Sequence, residues 1–164
     1  MVEGTVKFGG GSVMMWGCIT WQGVGFATKI DGRMDGDLYL QILKDELQQT
    51  LEYYGLHPSD IIFQQDNDPK HTCKKVKEWL GEQEFRTMIW PAQSQDVNPI
   101  EHSWGYLKRR LAEYKHPSYG ILELWERIEV EWGKIPVEEC QKLIESMLRR
   151  IQAVVRAKGG YTKY

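Results

Sequence analysis

The sequence predicts an α/β domain built on a mixed sheet with helices packed against it. Two apolar runs near the start of the chain are joined by a short glycine-containing connection, which is typical of a β-hairpin. After the two strands of the hairpin, a helix, a strand, a second helix and a further strand are predicted. Three amphipathic helical segments complete the chain. With 164 residues, of which 41% are hydrophobic and 27% charged, one globular domain spanning residues 1–164 is expected.

The predicted hairpin opens the domain. Residues 13–20 read Val-Met-Met-Trp-Gly-Cys-Ile-Thr, an apolar run of strand length, and residues 26–30 form a second strand after the turn residues 21–25. Because a hairpin is antiparallel, this part of the sheet differs from the strands that are connected through helices. Ahead of it, the segment 9–12, Gly-Gly-Gly-Ser, is expected to be flexible.

Helices and short strands alternate in the middle of the chain. A helix with Asp37 as its N-cap is predicted to end near Gly55, because apolar residues recur at helical spacing. Its apolar stripe is Leu38, Ile42, Leu43, Leu47 and Leu51. The next predicted elements are a buried strand at 61–63, a helix from Pro69 to Gly81, a strand at 85–90 and a loop at 91–97.

The last third of the chain is predicted to be helical, with a tail at residues 158–164. Three apolar stripes at helical spacing define three helices. They are Ile100, Trp104, Leu107 and Leu111; Ile121, Leu124, Trp125, Ile128 and Trp132; and Cys140, Leu143, Ile144, Met147, Leu148 and Ile151. Most of the seven tryptophans lie on stripes or in strands, which favours core packing over stacking on nucleic-acid bases.

Composition excludes several classes of protein but indicates no function. The net charge is −2, acidic over residues 1–100 and basic over residues 101–164, so charge alone does not indicate nucleic-acid binding. No apolar run approaches the ~18 residues of a membrane span. Three cysteines without CxxC spacing support neither a disulfide framework nor a zinc site, and an intracellular, reducing location is expected.

Polar and charged residues are concentrated just beyond the predicted strand at 61–63. Residues 65–71 read Gln-Asp-Asn-Asp-Pro-Lys-His. Asp, Asn and Pro are ordinary turn and N-cap residues, so local composition favours a turn. Ligands, however, gather at the carboxyl ends of strands in open α/β sheets, which makes Asp66 a candidate catalytic residue.

Glu101 is the second candidate acid. Asn98, Pro99 and Glu101 match a capping box, in which the Glu101 carboxylate would reach back to the Asn98 amide. A carboxylate in a first helical turn is equally well placed to hold a cation. Two such carboxylates suit Mg²⁺ or Mn²⁺, which bind carboxylate oxygens and keep positions for phosphate and water, although phosphodiester chemistry normally uses a third acid. The cations Lys108, Arg109 and Arg110 could contact phosphates or form a solvated helix face.

Two segments closely resemble the catalytic domain of Tc/mariner-superfamily transposases. They are residues 65–72, Gln-Asp-Asn-Asp-Pro-Lys-His-Thr, and residues 90–102, Trp-Pro-Ala-Gln-Ser-Gln-Asp-Val-Asn-Pro-Ile-Glu-His. Thirty-four residues separate Asp66 from Glu101, which is the interval that this family keeps between its second and third catalytic acids. Further matches at 7–14, 104–110 and 157–164 extend the resemblance over nearly the whole chain.

The resemblance implies a ribonuclease H-like fold and a DDE enzyme that cuts DNA at transposon ends and joins the freed 3′ ends to a target. It implies that Asp66 and Glu101 are catalytic and ligate Mg²⁺ or Mn²⁺, and that Asn67 and His71 support them. The expected partners are transposon-end and target DNA, contacted by Lys108, Arg109 and Arg110, and a second transposase subunit. The expected location is the nucleus.

One departure from the family pattern affects the expected activity. The family carries its first catalytic aspartate on a strand upstream of the Gly-Gly-Gly-Ser segment, and this chain has eight residues before Gly9. We therefore expect a partial catalytic domain without that first strand, its aspartate or the family's N-terminal helix-turn-helix domain. Two functions remain open: a defective transposase with a partly retained site, and a non-catalytic module that binds DNA or pairs with transposase subunits.

Overall fold

The sheet at the centre of the fold has three antiparallel strands. The computed structural model describes residues 4–8, 11–88 and 98–156. The strands lie in the order β1 (Gly4–Phe8), β2 (Gly11–Thr20) and β3 (Gly23–Ile30). The predicted hairpin is confirmed as β2 and β3, whose register shifts between Gly17 and Ile19. No helix within the described ranges is long and apolar enough to cross a lipid bilayer.

Strand β1 is an element that the sequence analysis does not predict. It pairs with β2 from Gly4, opposite Met15, to Phe8, opposite Gly11. Thr5, Val6 and Phe8 are residues that favour strands, and this is the signal that could have indicated it. Gly9 and Gly10, which belong to the segment expected to be flexible, lie outside the described residues.

A long helical segment follows β3. It consists of α1 (Gly36–Ile42), one π-helical turn (Leu43–Leu47) and α2 (Gln48–Tyr53). The prediction that Asp37 is the N-cap is wrong. The cap is Asp35, whose Oδ1 accepts hydrogen bonds from the backbone amides of Asp37 at 3.1 Å and Leu38 at 2.9 Å. Asp37 lies instead in the first turn, where a carboxylate favours the positive end of the helix dipole.

Two short parallel strands form a second sheet. They are β4 (Ile62–Phe63) and β5 (Arg86–Thr87), connected through α3 (Lys74–Glu82). The helix begins at Lys74 rather than at the predicted Pro69, because hydrogen bonds to aspartate side chains hold residues 66–72 in turns. Residues 89–90 of the predicted strand and the predicted loop at 91–97 lie outside the described residues.

Three helices complete the fold, as predicted. They are α4 (Ile100–Ala112), α5 (Ile121–Gly133) and α6 (Val137–Arg156). The stripe on α4 is fully buried, but Ile121 at the start of α5 is half exposed. On α6, Cys140 is buried and Leu143 is half-buried. The side chains of Leu148 and Ile151 and the predicted tail lie outside what the structure describes.

The interior is divided into two apolar cores by β2. In the first core, Trp16 and Cys18 of β2 pack with residues from α1, α2, β4 and α3; its largest members are Trp16, Tyr39, Leu43, Phe63, Val76, Trp79 and Phe85. In the second core, Val13 and Met15 pack with α4, α5 and the start of α6; its largest members are Ile100, Trp104, Leu107, Leu111, Leu124, Ile128 and Trp132. Because side chains alternate along a strand, one strand supplies both cores.

Side chains satisfy backbone groups along β3, which lies at the edge of the three-stranded sheet. Each bond joins a helix side chain to the strand. The Phe26 amide donates to Thr50 Oγ1 at 3.0 Å, the Tyr54 hydroxyl to the Val24 carbonyl at 2.7 Å, and Trp132 Nε1 to the Gly25 carbonyl at 2.9 Å. Burying a backbone group without a partner is costly, so these bonds stabilise the packing of helices against β3.

A buried carboxylate joins α4 to α5. Glu131 accepts hydrogen bonds from Lys134 Nζ at 2.9 Å, the Tyr114 hydroxyl at 3.1 Å and Arg110 Nε at 3.2 Å. The bond from Lys134 contributes most to holding the pKa of Glu131 below its ordinary value, against the effect of burial. Arg110 also pairs with Glu113, so its guanidinium is engaged by two carboxylates.

We expect Gly25→Ala to destabilise the fold. A Cβ at Gly25 would lie 2.3 Å from Cys18 Sγ and 2.6 Å from Thr50 Cγ2, and Thr50 is held in place by its bonds to the Phe26 amide and the Glu46 carbonyl. Overpacking of this kind costs about 1–3 kcal/mol of unfolding free energy. Urea denaturation monitored by tryptophan fluorescence measures the loss.

The matched control is Gly81→Ala. Gly81 lies in α3, and an added Cβ would meet no atom within 4 Å, so the higher helix propensity of alanine should leave stability unchanged or raise it by up to about 1 kcal/mol. Equal stability of the Gly25→Ala variant and the wild type would contradict the packing described for β3.

Candidate active site

The segment after β4 is folded by its own side chains. Asp66 Oδ1 accepts a hydrogen bond from the Asp68 amide at 3.1 Å, and Asp68 Oδ1 accepts one from the Lys70 amide at 2.9 Å. The backbone amides of His71 and Thr72 both donate to the Asp68 carbonyl, at 2.9 and 3.0 Å. The prediction of a turn is therefore confirmed. Because a tight turn fixes the chain, it also fixes the direction of the Asp66 side chain.

Asp66 is paired with a buried histidine. Its Oδ1 forms a short hydrogen bond with His71 Nδ1, and the exposed fraction of the His71 side chain is 1% against 18% for Asp66. Partial burial acts to raise the pKa of Asp66. The hydrogen bond and charge of His71, together with the Asp68 amide, outweigh burial and leave that pKa below its ordinary value. Asp66 is therefore held in its ionised form.

Glu101 lies in the first turn of α4 and does not form the predicted capping box. The helix begins after Pro99 without a side-chain cap, and Asn98 Oδ1 lies 3.4 Å from the Ile100 amide, at the long end of the hydrogen-bond range. Within the described part of the chain, the Glu101 carboxylate makes no hydrogen bond to the Asn98 amide. The proline fixes the backbone at the helix start, so the helix does not depend on a cap provided by Glu101.

The charge of Asp66 acts on Glu101. Partial burial raises the pKa of Glu101; the charge of Lys108 acts against that rise, and the negative charge of Asp66 adds to it. Because the interaction between charges weakens with distance and is screened by salt, a charge that shifts the pKa of another group lies in the same region of the domain. The structure thus brings the two predicted acids into one electrostatic environment, although their catalytic role stays a prediction.

The carboxylates of these two acids suit a divalent cation. The hydrogen bonds from the Asp68 amide and from His71 Nδ1 both go to Oδ1 of Asp66. Mg²⁺ is commonly bound by one or two carboxylates, with water and phosphate completing its shell, and the donor set fits that pattern. Among the residues that the structure describes, no group of three or more His, Cys, Asp or Glu side chains could hold a metal ion.

Of the other predicted site residues, three are exposed and one forms ion pairs. Asn67 is exposed next to Asp66, and Lys108 and Arg109 are exposed on α4. Arg110 is directed into its ion pairs with Glu113 and Glu131, because its position on α4 faces α5.

A groove of about 330 Å³ begins at Glu101 and runs between α4 and α6. Tyr106 and Arg109 line it from α4, and Glu139 and Leu143 line it from α6. Its wall therefore joins one predicted acid to one predicted DNA contact.

Two further residues touch the site but were not singled out from the sequence. Tyr39 of α1 lies against His71, and Gln65 hydrogen-bonds to both. Tyr39 is 26 residues from Gln65 in sequence, so no local motif links them. The only available signal was that Tyr39 continues the apolar face of α1.

Comparison with known proteins yields matches over most of the chain. The profile of a family described as DDE superfamily endonuclease matches residues 7–122. The transposase of transposable element Tcb1 from Caenorhabditis briggsae is 42% identical over 160 residues, and the Tc1 transposase from Caenorhabditis elegans is 42% identical over 161 residues. In both cases the match covers 98% of this chain and 57% of the relative, so the chain spans little more than half the length of these relatives.

Solved structures share the fold. The catalytic domain of Mos1 mariner transposase superposes with a TM-score of 0.82 at 22% identity, covering 99% of this chain and 82% of that chain. The same domain solved with Raltegravir and Mg gives a TM-score of 0.82 at 23% identity, covering 99% and 83%. The predicted ribonuclease H-like α/β fold is thereby confirmed.

We expect Asp66→Asn to lower the pKa of Glu101. Removing the neighbouring negative charge makes ionisation of Glu101 easier, so its raised pKa should move down towards the ordinary value of a glutamate. The pKa is measured by following the side-chain carboxyl ¹³C resonance of Glu101 in a pH titration with chelator present. The control is Asp60→Asn, a surface change in the short helix Pro58–Asp60, which should leave the pKa of Glu101 where it is. An unchanged pKa in the Asp66→Asn protein would mean that the two acids lie too far apart to share a site.

Proposed function

We propose, from the premise that this chain belongs to the DDE superfamily endonuclease family and is a Tc/mariner transposase domain, that it carries part of the catalytic site of a DNA transposase. The observation that carries the proposal is the position of the two acids, Asp66 in the turns after β4 and Glu101 in the first turn of α4; the charge of Asp66 also adds to the raised pKa of Glu101. One acid follows β4 and the other begins α4, and these are the positions that the family resemblance assigns to its second and third catalytic acids.

In this proposal, Asp66 and Glu101 hold a divalent ion, Mg²⁺ or Mn²⁺. Such an ion would supply Lewis acidity at a phosphodiester oxygen and ease the deprotonation of water. The protein's own contribution is to present the carboxylates. Asp66 is held in its ionised form by the Asp68 amide and His71, and Glu101 lies in the first turn of α4. The Mos1 catalytic domain has been solved with Mg, which supports the choice of ion.

DNA is the proposed substrate and partner. Lys108 lies two helical turns beyond Glu101 on α4 and lowers the pKa of Glu101, so its charge reaches the acid pair. Arg109 is exposed beside it and lines the groove that begins at Glu101. Cations next to a metal site attract and position the phosphate backbone. We assign the larger share of DNA contact to these two residues, because the guanidinium of Arg110 is engaged by Glu113 and Glu131.

The proposal also covers what the 164 residues do by themselves. They supply two acids to a site for which the family resemblance implies three, so we expect the 164-residue polypeptide to bind metal and DNA without cleaving DNA efficiently. Mg²⁺-dependent nicking of plasmid DNA by the purified polypeptide would contradict this part of the proposal. The alternative function, a non-catalytic DNA-binding or subunit-pairing module, predicts DNA affinity that does not depend on either acid.

Mn²⁺ binding tests the metal site. Isothermal titration of the wild type with Mn²⁺ should show one site, and Asp66→Ala and Glu101→Ala should each weaken it at least tenfold, because each removes one of few protein ligands. Asp60→Ala, which removes a carboxylate from the surface, should bind like the wild type. Equal affinities across all four proteins would refute the shared site and favour the non-catalytic module.

Salt-dependent DNA binding tests the proposed interface on α4. Fluorescence anisotropy with a 30-base-pair duplex, measured over a range of KCl concentrations, should give a smaller salt slope for Lys108→Ala and Arg109→Ala, by about one unit for each phosphate that the variant no longer neutralises. The control is Lys44→Ala, an exposed cation in the π-helical turn, which should keep the wild-type slope. A similar decrease in all three variants would indicate non-specific attraction rather than an interface on α4.

A further inference from the structure

Three buried side chains, those of Tyr39, Gln65 and His71, form a group of contacts that ends at Asp66. The Tyr39 hydroxyl donates a hydrogen bond to Gln65 Oε1 at 2.6 Å, and Gln65 Nε2 donates to the His71 carbonyl at 2.8 Å. The rings of Tyr39 and His71 lie 4.0 Å apart between centroids, inclined by 33°. The last contact runs from His71 Nδ1 to Asp66 Oδ1. These contacts form a continuous path from α1 to the predicted metal ligand.

All three side chains behind Asp66 are almost completely buried. The exposed fractions are 0% for Tyr39, 1% for His71 and 7% for Gln65. Hydrogen bonds among buried groups are costly to break, because the freed partners cannot turn to water. The Tyr39 ring belongs to the first apolar core, so the residue at the end of the path is held in place by core packing.

The contacts fix which nitrogen of His71 carries the bonding proton. An ionised carboxylate only accepts hydrogen bonds, so the bond to Asp66 requires the proton on Nδ1. His71 Nε2 is buried and has no hydrogen-bond partner among the described residues. The imidazole is therefore oriented by the Tyr39 ring, its own backbone and Asp66, and it presents one donor to the carboxylate.

We propose that Tyr39 and Gln65 are positioning residues, which hold His71 so that its Nδ1 proton fixes the orientation in which the Asp66 carboxylate meets the metal. The proposal rests on the proposed function, because it assumes that Asp66 is a ligand. It assigns α1, a helix that carries no predicted catalytic residue, a part in ordering the site. Outer partners of a metal ligand restrict its orientation and thereby raise affinity for the ion.

Two exchanges at His71 distinguish positioning from packing. In His71→Asn the side-chain amide nitrogen can take the place of Nδ1 and donate to Asp66, whereas in His71→Gln it takes the place of Nε2. We expect His71→Asn to bind Mn²⁺ within about threefold of the wild type and His71→Gln to bind about 10–100-fold more weakly, the range for removal of outer-shell bonds. Equal weakening in both variants would overturn the proposal, because a role in packing alone does not depend on which nitrogen is replaced.

Tyr39→Phe tests the distant end of the path. It deletes the hydroxyl that holds Gln65 and keeps the ring against His71, so Mn²⁺ affinity should fall by several-fold, less than in His71→Gln. The matched control is Tyr54→Phe, which also deletes one tyrosine hydrogen bond, to the Val24 carbonyl at 2.7 Å. Both variants should lose similar thermal stability, but only Tyr39→Phe should weaken Mn²⁺ binding. Equal Mn²⁺ affinity in the two variants would refute the role of Tyr39.

A measurement without metal separates this proposal from the proposed function. In the metal-free wild type, the His71 Nδ1 proton should give a downfield ¹H resonance coupled to ¹⁵N, because its hydrogen bond protects it from exchange. That resonance should disappear in Asp66→Ala, broaden in Tyr39→Phe and stay unchanged in Tyr54→Phe. If this pattern holds while Mn²⁺ fails to bind the wild type, the proposed function fails and the positioning of Asp66 stands. A resonance that is unaffected in Tyr39→Phe overturns the positioning proposal, whatever the metal affinity.

Discussion

Strand β2 is buried on both faces, and the alternation of its side chains divides the interior into two cores. Asp66 follows β4, whose Phe63 lies in the first core, and Glu101 follows Ile100, which lies in the second. The two predicted acids therefore follow segments that are packed on opposite sides of one strand. Gly17 makes this close packing possible, because a Cβ there would lie 2.9 Å from the Trp132 ring. Trp132 in turn stacks on Trp104 of α4, with ring centroids 5.1 Å apart.

The environments of the two acids push their pKa values in opposite directions. His71 and a backbone amide stabilise the charge of Asp66 despite its partial burial, which lowers the pKa of Asp66. The pKa of Glu101 is raised by partial burial and by the charge of Asp66, and no hydrogen bond of that kind acts against the rise in the described structure. As pH falls, Glu101 takes up a proton before Asp66 does. Paired acids with separated pKa values are common where one site needs two different carboxylates. The lowered pKa of Asp66 depends on His71, which lies against Tyr39 of the first core.

Amphipathic periodicity predicted the helices well, and contacts between distant residues could not be predicted at all. The stripe on α4 is buried as predicted because helix position alone decides which side faces the core. The predictions for the start of α3 and for the N-cap of α1 were wrong. Several aspartates near each helix start can accept hydrogen bonds from backbone amides, and only the folded backbone selects among them. Asp66 and Glu101 were predicted from motifs, whereas the contact of Tyr39 with Gln65 arises only through tertiary folding.

The helix side chains bonded to β3 have a consequence for association between molecules. An edge strand with free amides and carbonyls is a template on which a foreign strand can add, and proteins avoid aggregation by blocking it. Here Thr50, Tyr54 and Trp132 already bond one backbone group in each of residues 24–26, namely two carbonyls and the amide of residue 26. An incoming strand would have to displace three native bonds and the helices that provide them, so sheet extension and domain swapping are disfavoured at this edge.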